Sequence, residues 1–317
     1  MEVLTQVVST QGIPWNALLN FKLIVLSIVL EALPFIICSV LVSSILNNFV
    51  SEDRIKKFIP ANKLFAVVAA SLLGMLLPVC DCGMVPVVRR LLMKGVPLYA
   101  AVAFLLAAPI VNPVVAVTTF FAFHNNGSIV CFRFAMAFGI ACLVGLSTCV
   151  FFKGNEWKDL RKESAGCRCF GHVTEGNVFR SASFIEKLLH TFYDAGEEFF
   201  GIGKYLIMGA MLGGLVQVVL PREILFSVGQ NSYLSVIVMM VFSYAISVCS
   251  AANTFIAASF SGNFSTGALL SFMVFGPMID LKSTCLLLYV FPIRFVIWLV
   301  AMVTFLCGFV GYGINAF

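Results

Sequence analysis

The sequence predicts an all-α polytopic membrane protein: two tandem, pseudo-symmetric repeats of about four transmembrane helices each, with broken helices at the repeat interface. Three observations carry this prediction. The chain is 61% hydrophobic and only 11% charged, whereas soluble domains are near half apolar and a quarter charged. Its apolar residues fall in runs long enough to cross a bilayer. One short pattern of cysteine, small residues and helix breakers occurs in both halves, followed each time by the same downstream features.

In chain order, no basic stretch leads into a short apolar core with a cleavage site, so no cleaved signal peptide is expected. The first long apolar run, 23–46, is read as the first helix. Further runs lie near 64–80, 97–123, 129–152, 199–220, 233–250, 266–292 and 294–315, giving about eight spans in all. Runs 97–123 and 266–292 carry proline or charge in the middle and read as broken rather than straight.

The longest polar segment, 153–198, divides the chain into a first repeat (1–152), a linker loop and a second repeat (199–317). It holds Lys153, Lys158, Arg161, Lys162, Arg168, Arg180 and Lys187, which places it and the N-terminus in the cytoplasm by the positive-inside rule. Arg54, Lys56, Lys57 and Lys63, in the first loop, weigh against that orientation. The net charge of +5 therefore reports topology and gives no reason to expect nucleic acid as a partner. No phosphate-binding glycine loop is present to use ATP directly.

The repeat is seen in three matches at nearly one offset. Residues 78–83 (Pro-Val-Cys-Asp-Cys-Gly) correspond to 247–252 (Ser-Val-Cys-Ser-Ala-Ala). Pro109 in 103–113 corresponds to Pro277 in 271–281, and Arg133-Phe134 corresponds to Arg294-Phe295. Four crossings between matched points make the repeats parallel; five per half make them inverted, and both arrangements fit the sequence. Duplicated halves with helix breakers at matching positions point to a transport site, because interrupted helices in lipid leave backbone groups for a solute to satisfy. Helix kinking for packing alone is the rival reading of the same prolines.

Charge inside the spans supports the site. Glu31, Asp280, Lys282, Arg133 and Arg294 lie in or at the edge of apolar runs, where an ionised group is costly unless it faces a cavity or a partner. The three basic residues are equally compatible with snorkelling to the interface. Glu31, beside Pro34, is deepest in its run and is the proton-coupling candidate. Residues 85–95, with Arg89, Arg90 and Lys94, read as a short amphipathic helix at the cytoplasmic face of the membrane. Their counterpart, 253–265, reads as a re-entrant piece offering Asn253 and Asn263.

Cys80 and Cys82 flank Asp81, placing two soft sulfur ligands beside one hard carboxylate, and Cys249 approaches from the other half. Thiolates of this kind select soft metals and metalloids; a tight turn with incidental sulfur accounts for the pattern equally well. Cys38, Cys131, Cys142, Cys149, Cys285 and Cys307 sit in apolar runs and read as small hydrophobes. In the linker, Cys167, Cys169 and His172 form a candidate metal cluster, with a solvated reduced loop as the alternative.

Two segments, "PVCDCGMVPVVRRLLMKGVPLYAAVAFLLAAPIVNP" and "CSAANTFIAASF…GALLSFMVFGPMIDLK", carry a resemblance. They are similar to the paired signatures of the bacterial predicted-permease family that includes the organoarsenical efflux permease ArsP, and most like its YcgR-like branch. The resemblance implies an inner-membrane permease of about eight spans with a cytoplasmic central loop and no catalytic residues or cofactor. In the arsenical branch it implies export of trivalent organoarsenicals that bind cysteine, a species of the soft metal or metalloid kind the thiols suggest, and in the YcgR-like branch a small YcgQ-type partner membrane protein. Cys80, Cys82, Pro86, Pro109, Asn112 and Pro113 match the first signature; Cys249, Gly276, Pro277, Asp280 and Lys282 match the second. Asn253 departs from it, standing where an acidic residue is expected.

The expected function is thus a permease working by alternating access with proton coupling. Its substrate-binding candidates are Cys80, Asp81, Cys82, Gly83, Pro109, Asn112, Cys249, Ser250, Asn253, Pro277, Asp280 and Lys282. The rivals are a membrane subunit of a complex that moves nothing by itself and a membrane enzyme, a thiol oxidoreductase cycling Cys80 and Cys82 or a lipid-modifying protein; a homo-oligomer is compatible with any of these.

Overall fold

A computed structural model describes residues 15–49, 62–74, 80–124, 127–152, 184–219 and 232–316. Every regular element among them is a helix. The first half holds α1 (Trp15–Phe49), α2 (Lys63–Gly74), α3 (Asp81–Met93), α4 (Leu98–Ala107), α5 (Pro113–Ala122) and α6 (Gly127–Phe151). The second holds α7 (Phe184–Val219), α8 (Ser232–Ile246), α9 (Ser250–Ser259), α10 (Thr266–Met278), α11 (Leu281–Val290) and α12 (Ile293–Ala316). Each half runs a long helix, a short one, a helix opened by a cysteine motif, a broken pair and a long closing helix.

Among the described residues, five stretches are long and apolar enough to cross a membrane: Leu18–Ile45, Gly127–Phe151, Thr191–Val218, Thr266–Val290 and Ile293–Ala316. The described parts of the other expected spans are shorter apolar helices, α2, α4, α5 and α8. For α4 and α5, local chemistry explains the shortening. Pro109 and Pro113 lack the N–H that would carry a helix through 108–112, and Pro113 instead supplies the fixed φ suited to the first residue of α5. Pro277 likewise ends α10 one residue after itself.

In the most apolar 18 residues of the broken run Thr266–Val290, 78% are buried, against 28% to 39% in the matching stretches of the other four spans, so it lies at the centre. The long helices surround it and turn Leu23, Phe200, Phe305 and Phe309 outward. Such an apolar surface belongs in hydrocarbon, where a helix satisfies its own backbone groups. Packing follows the same plan in both halves: α4 lies between α2 and α6, as α10 lies between α8 and α12. The halves join where α1 packs along α7, α3 meets α11, and α9 meets α5. Close approach of α7 to the start of α11 depends on Gly209, where a Cβ would stand 3.0 Å from the Lys282 Cα.

Two boundaries differ from the sequence reading. Helix α7 begins at Phe184, so the expected linker end at 198 falls inside a continuous helix. Glu186, Lys187, Asp194, Glu197 and Glu198 lower the hydropathy of 184–198 without breaking its helix. Residues 85–95 are also not a surface-lying helix. Residues 85–93 belong to α3, whose residues from Asp81 to Val88 are all buried, leaving only its C-terminal end partly exposed.

Candidate transport site at the broken helices

Four helix N-termini are formed by the signature residues. Cys80 caps α3 in extended conformation. Cys249 caps α9, its Sγ accepting from Ala252 N at 3.4 Å. Asn112 caps α5, its Oδ1 accepting from Val114 N at 3.0 Å. Asp280 caps α11 in a reciprocal box: its Oδ1 accepts from Ser283 N at 2.6 Å, and its own N–H donates to Ser283 Oγ at 3.0 Å. The pairing of Cys80 with Cys249, and of Asn112 with Asp280, follows the order of the two halves. Just before Cys249, Ser247 adopts a left-handed φ of 51°. Its Oγ accepts from Leu281 N at 3.2 Å and donates to Tyr244 O at 3.1 Å, tying that turn to α11.

Buried charge gathers at these ends. Lys282 Nζ lies 3.7 Å from Asp280 Oδ2 in its own half and 4.0 Å from Asp81 Oδ2 in the other. Position 282, two residues after the break, projects from the first turn of α11 while Asp280 still has extended backbone, and so both can face Asp81. A cavity of about 10 Å³ lies alongside, with room for a single water at most. Asp81, Val85, Leu105 and Pro109 line it from one half; Pro277, Met278, Ser283 and Leu287 line it from the other. At this point the two halves pack closely together.

The remaining candidates take several positions. Gly83 is buried in the first turn of α3, and Cys82 is buried with its thiol 3.9 Å from Asp81 Oδ2. Cys80, Cys249 and Ser250 are half-buried. The described cysteines are free thiols, and among the described residues no three Cys, His, Asp or Glu side chains converge closely enough to hold a metal ion. In this arrangement Cys80, Cys82 and Cys249 do not form one ligand set. Cys167, Cys169 and His172 lie outside the described residues. Glu31 is exposed on α1, within electrostatic reach of Cys249, Asp81 and Lys282. Asn253 is buried and supports α10, its Nδ2 donating to Phe272 O at 3.1 Å.

The two matched arginines part company. Arg294 is exposed, whereas Arg133 is completely buried. Its Nη1 donates to Thr119 Oγ1 at 2.7 Å and Thr254 Oγ1 at 2.6 Å, and its Nη2 donates to the carbonyls of Ser250 and Met273, each at 3.2 Å. These partners lie on α5, α9 and α10, so one guanidinium fastens both halves. A second tie escapes sequence reasoning: Arg90 on α3 pairs with buried Glu198 on α7 at 3.3 Å, and Ser43 on α1 donates to the same carboxylate oxygen at 3.1 Å. Glu198 could have been noticed as an acid beside an apolar run, but nothing in the sequence marks Arg90 as its partner.

Fold and site together define an integral membrane protein whose interrupted helices meet at a buried charged centre. The chain belongs to the ArsP_1 family, described as "Predicted permease", whose model matches residues 17–316. It is similar to "UPF0718 protein YcgR" of Bacillus subtilis (strain 168), with 39% identity over 288 residues, 91% of this chain and 94% of that protein. It is also similar to a protein of Streptococcus mutans serotype c named "Putative two-component membrane permease complex subunit". That match has 32% identity over 282 residues, 89% of this chain and 90% of the relative. No solved structure matches the chain.

Proposed function

We propose that this permease-family chain is a secondary carrier that exports a small soft solute, a metal, metalloid or organoarsenical-like species, by alternating access with proton exchange. The supporting observation is the small cavity at which Asp81 and Pro109 of one half meet Pro277 and Ser283 of the other. Each half brings a helix break to that point, and broken helices at a repeat interface are where secondary carriers hold their solute. The recurring element order supports two repeats of one ancestral unit. In this reading the close-packed centre is the occluded state, and opening it separates α3 and α5 from α9 and α11. Cys80, Cys82 and Cys249 receive the solute, with Gly83, Asn112, Ser250, Asn253 and Pro109 shaping the passage. Glu31 supplies the proton site, and the linker cluster Cys167, Cys169 and His172 delivers the metal. The protein resides in the bacterial inner membrane with its linker and N-terminus in the cytoplasm, and acts as a transporter rather than an enzyme.

Membrane vesicles carrying the wild type or Cys80→Ser with Cys82→Ser, assayed for flux of arsenite, methylarsenite, zinc and copper, test the sulfur site. Loss of flux for at least one solute in the double variant is expected; flux of every solute equal to wild type contradicts it. The name of the Streptococcus mutans relative favours a second reading, in which the chain works as one subunit with a small YcgQ-type partner membrane protein. Flux that appears only when the partner is co-reconstituted supports that arrangement.

A further inference from the structure

Two buried carboxylates face one ammonium where the halves meet. Asp280 Oδ1 is committed to the α11 capping box, while its Oδ2 is fully buried and has no hydrogen-bond partner. Lys282 Nζ stands 3.7 Å from that oxygen and 4.0 Å from Asp81 Oδ2, beyond the 2.7–2.9 Å typical of a charge-assisted hydrogen bond. The ammonium therefore sits between the carboxylates without bonding closely to either. One positive charge opposes two negative ones in an interior where an uncompensated charge is costly. Ser283 Oγ lies against Asp280 and lines the adjoining cavity, adding a neutral oxygen.

The residues also differ in how they can move. Lys282 and Asp280 belong to one helix end and travel together; Asp81 starts α3 in the other half. We propose that Asp81 and Asp280 form a site for a small hard cation, and that the Lys282 ammonium is a tethered occupant of it in this structure. Oxygen donors of this type suit an alkali or ammonium ion rather than a soft metal, so the carboxylates supply the donors here even though the Cys82 thiol lies 3.9 Å from Asp81 Oδ2. In wild type the tethered ammonium outcompetes a soluble cation, which takes its place only when the Lys282 side chain is withdrawn from between the two carboxylates or removed. Assigning that cation a coupling role rests on the carrier reading; its binding does not.

The test uses purified full-length protein in detergent at constant ionic strength, with sodium, methylammonium or the oversize N-methylglucamine as the cation. Lys282→Ala vacates the position between the carboxylates. Its melting temperature is expected to rise by roughly 5 °C in saturating sodium or methylammonium relative to N-methylglucamine. Wild type and the double variant Asp81→Asn with Lys282→Ala are expected to respond to neither ion. An equal response in all three proteins, or none in Lys282→Ala, overturns the proposal. So does failure to recover folded Lys282→Ala in any of these cations, since a soluble ion then cannot replace the ammonium. Because the readout is binding, a protein that shows this response yet moves no solute removes the carrier reading and leaves the site standing.

Discussion

The Arg133 guanidinium donates to the Met273 carbonyl at 3.2 Å, and Met273 stands four residues before Pro277. In an unbroken helix that carbonyl would accept from the N–H at 277, which proline lacks. An arginine from the first half thus satisfies a carbonyl that a proline leaves free in the second. Four donated bonds, all to neutral groups, compensate a charge with no carboxylate partner among the described residues.

Geometry rather than charge alone is what this position requires. Arg133→Lys keeps a buried cation, but an ammonium cannot reach acceptors on α5, α9 and α10 together. A loss of about 2 kcal/mol is expected in reversible unfolding, from acceptors left unpaired. Unchanged stability contradicts the assigned role.

Gly276 precedes the break, and a Cβ there would run into Ser243 Oγ and lie 2.9 Å from Asn253 Nδ2. Ser243 Oγ also donates to Phe272 O at 2.7 Å, so it is not free to move aside. Gly276→Ala should cost about 1–3 kcal/mol through overpacking. Adding Ser243→Ala should recover part of that cost, a non-additivity visible in a thermal-melt cycle.

The Arg90–Glu198 pair is buried on the glutamate side, with Glu198 Oε1 unpartnered. Glu198→Leu alone strands a cation and is expected to destabilise by about 3 kcal/mol. Combining it with Arg90→Met should restore most of the loss. A double variant no more stable than Glu198→Leu would show that the pair is not what ties α3 to α7.

Glu31 lies exposed on a membrane-spanning helix, near Cys249 and Lys282, where an ionisable group is expensive without a functional reason. Flux in Glu31→Gln should lose its dependence on a proton gradient while the protein stays folded. Retained dependence takes Glu31 out of the mechanism.

Much of this site was legible in the chain because its chemistry is local. Pro109, Pro113 and Pro277 stand at helix breaks, although Pro34 and Pro86 are accommodated inside α1 and α3, and Cys80, Asn112, Cys249 and Asp280 each cap the helix that follows. Which elements meet depends on long-range packing. Arg133 and Arg294 occupy the same sequence context, yet only Arg133 finds Thr119 and Thr254 beside it. The start of α7 was hidden for a related reason: Glu198 reads as loop until Arg90, far away in sequence, supplies its counter-charge. The α3 helix reads as a surface element because Arg89, Arg90 and Lys94 dominate its C-terminal end, whereas its apolar N-terminal half fixes its position.

The most direct test measures flux through this chain reconstituted without any other protein, using arsenite, methylarsenite, zinc and copper with wild type and Asp81→Asn. Wild type is predicted to move at least one of these solutes, and the folded variant to move it at least tenfold more slowly. Flux that is identical in the two proteins, or absent from wild type even with a partner supplied, contradicts a passage at the junction of the halves.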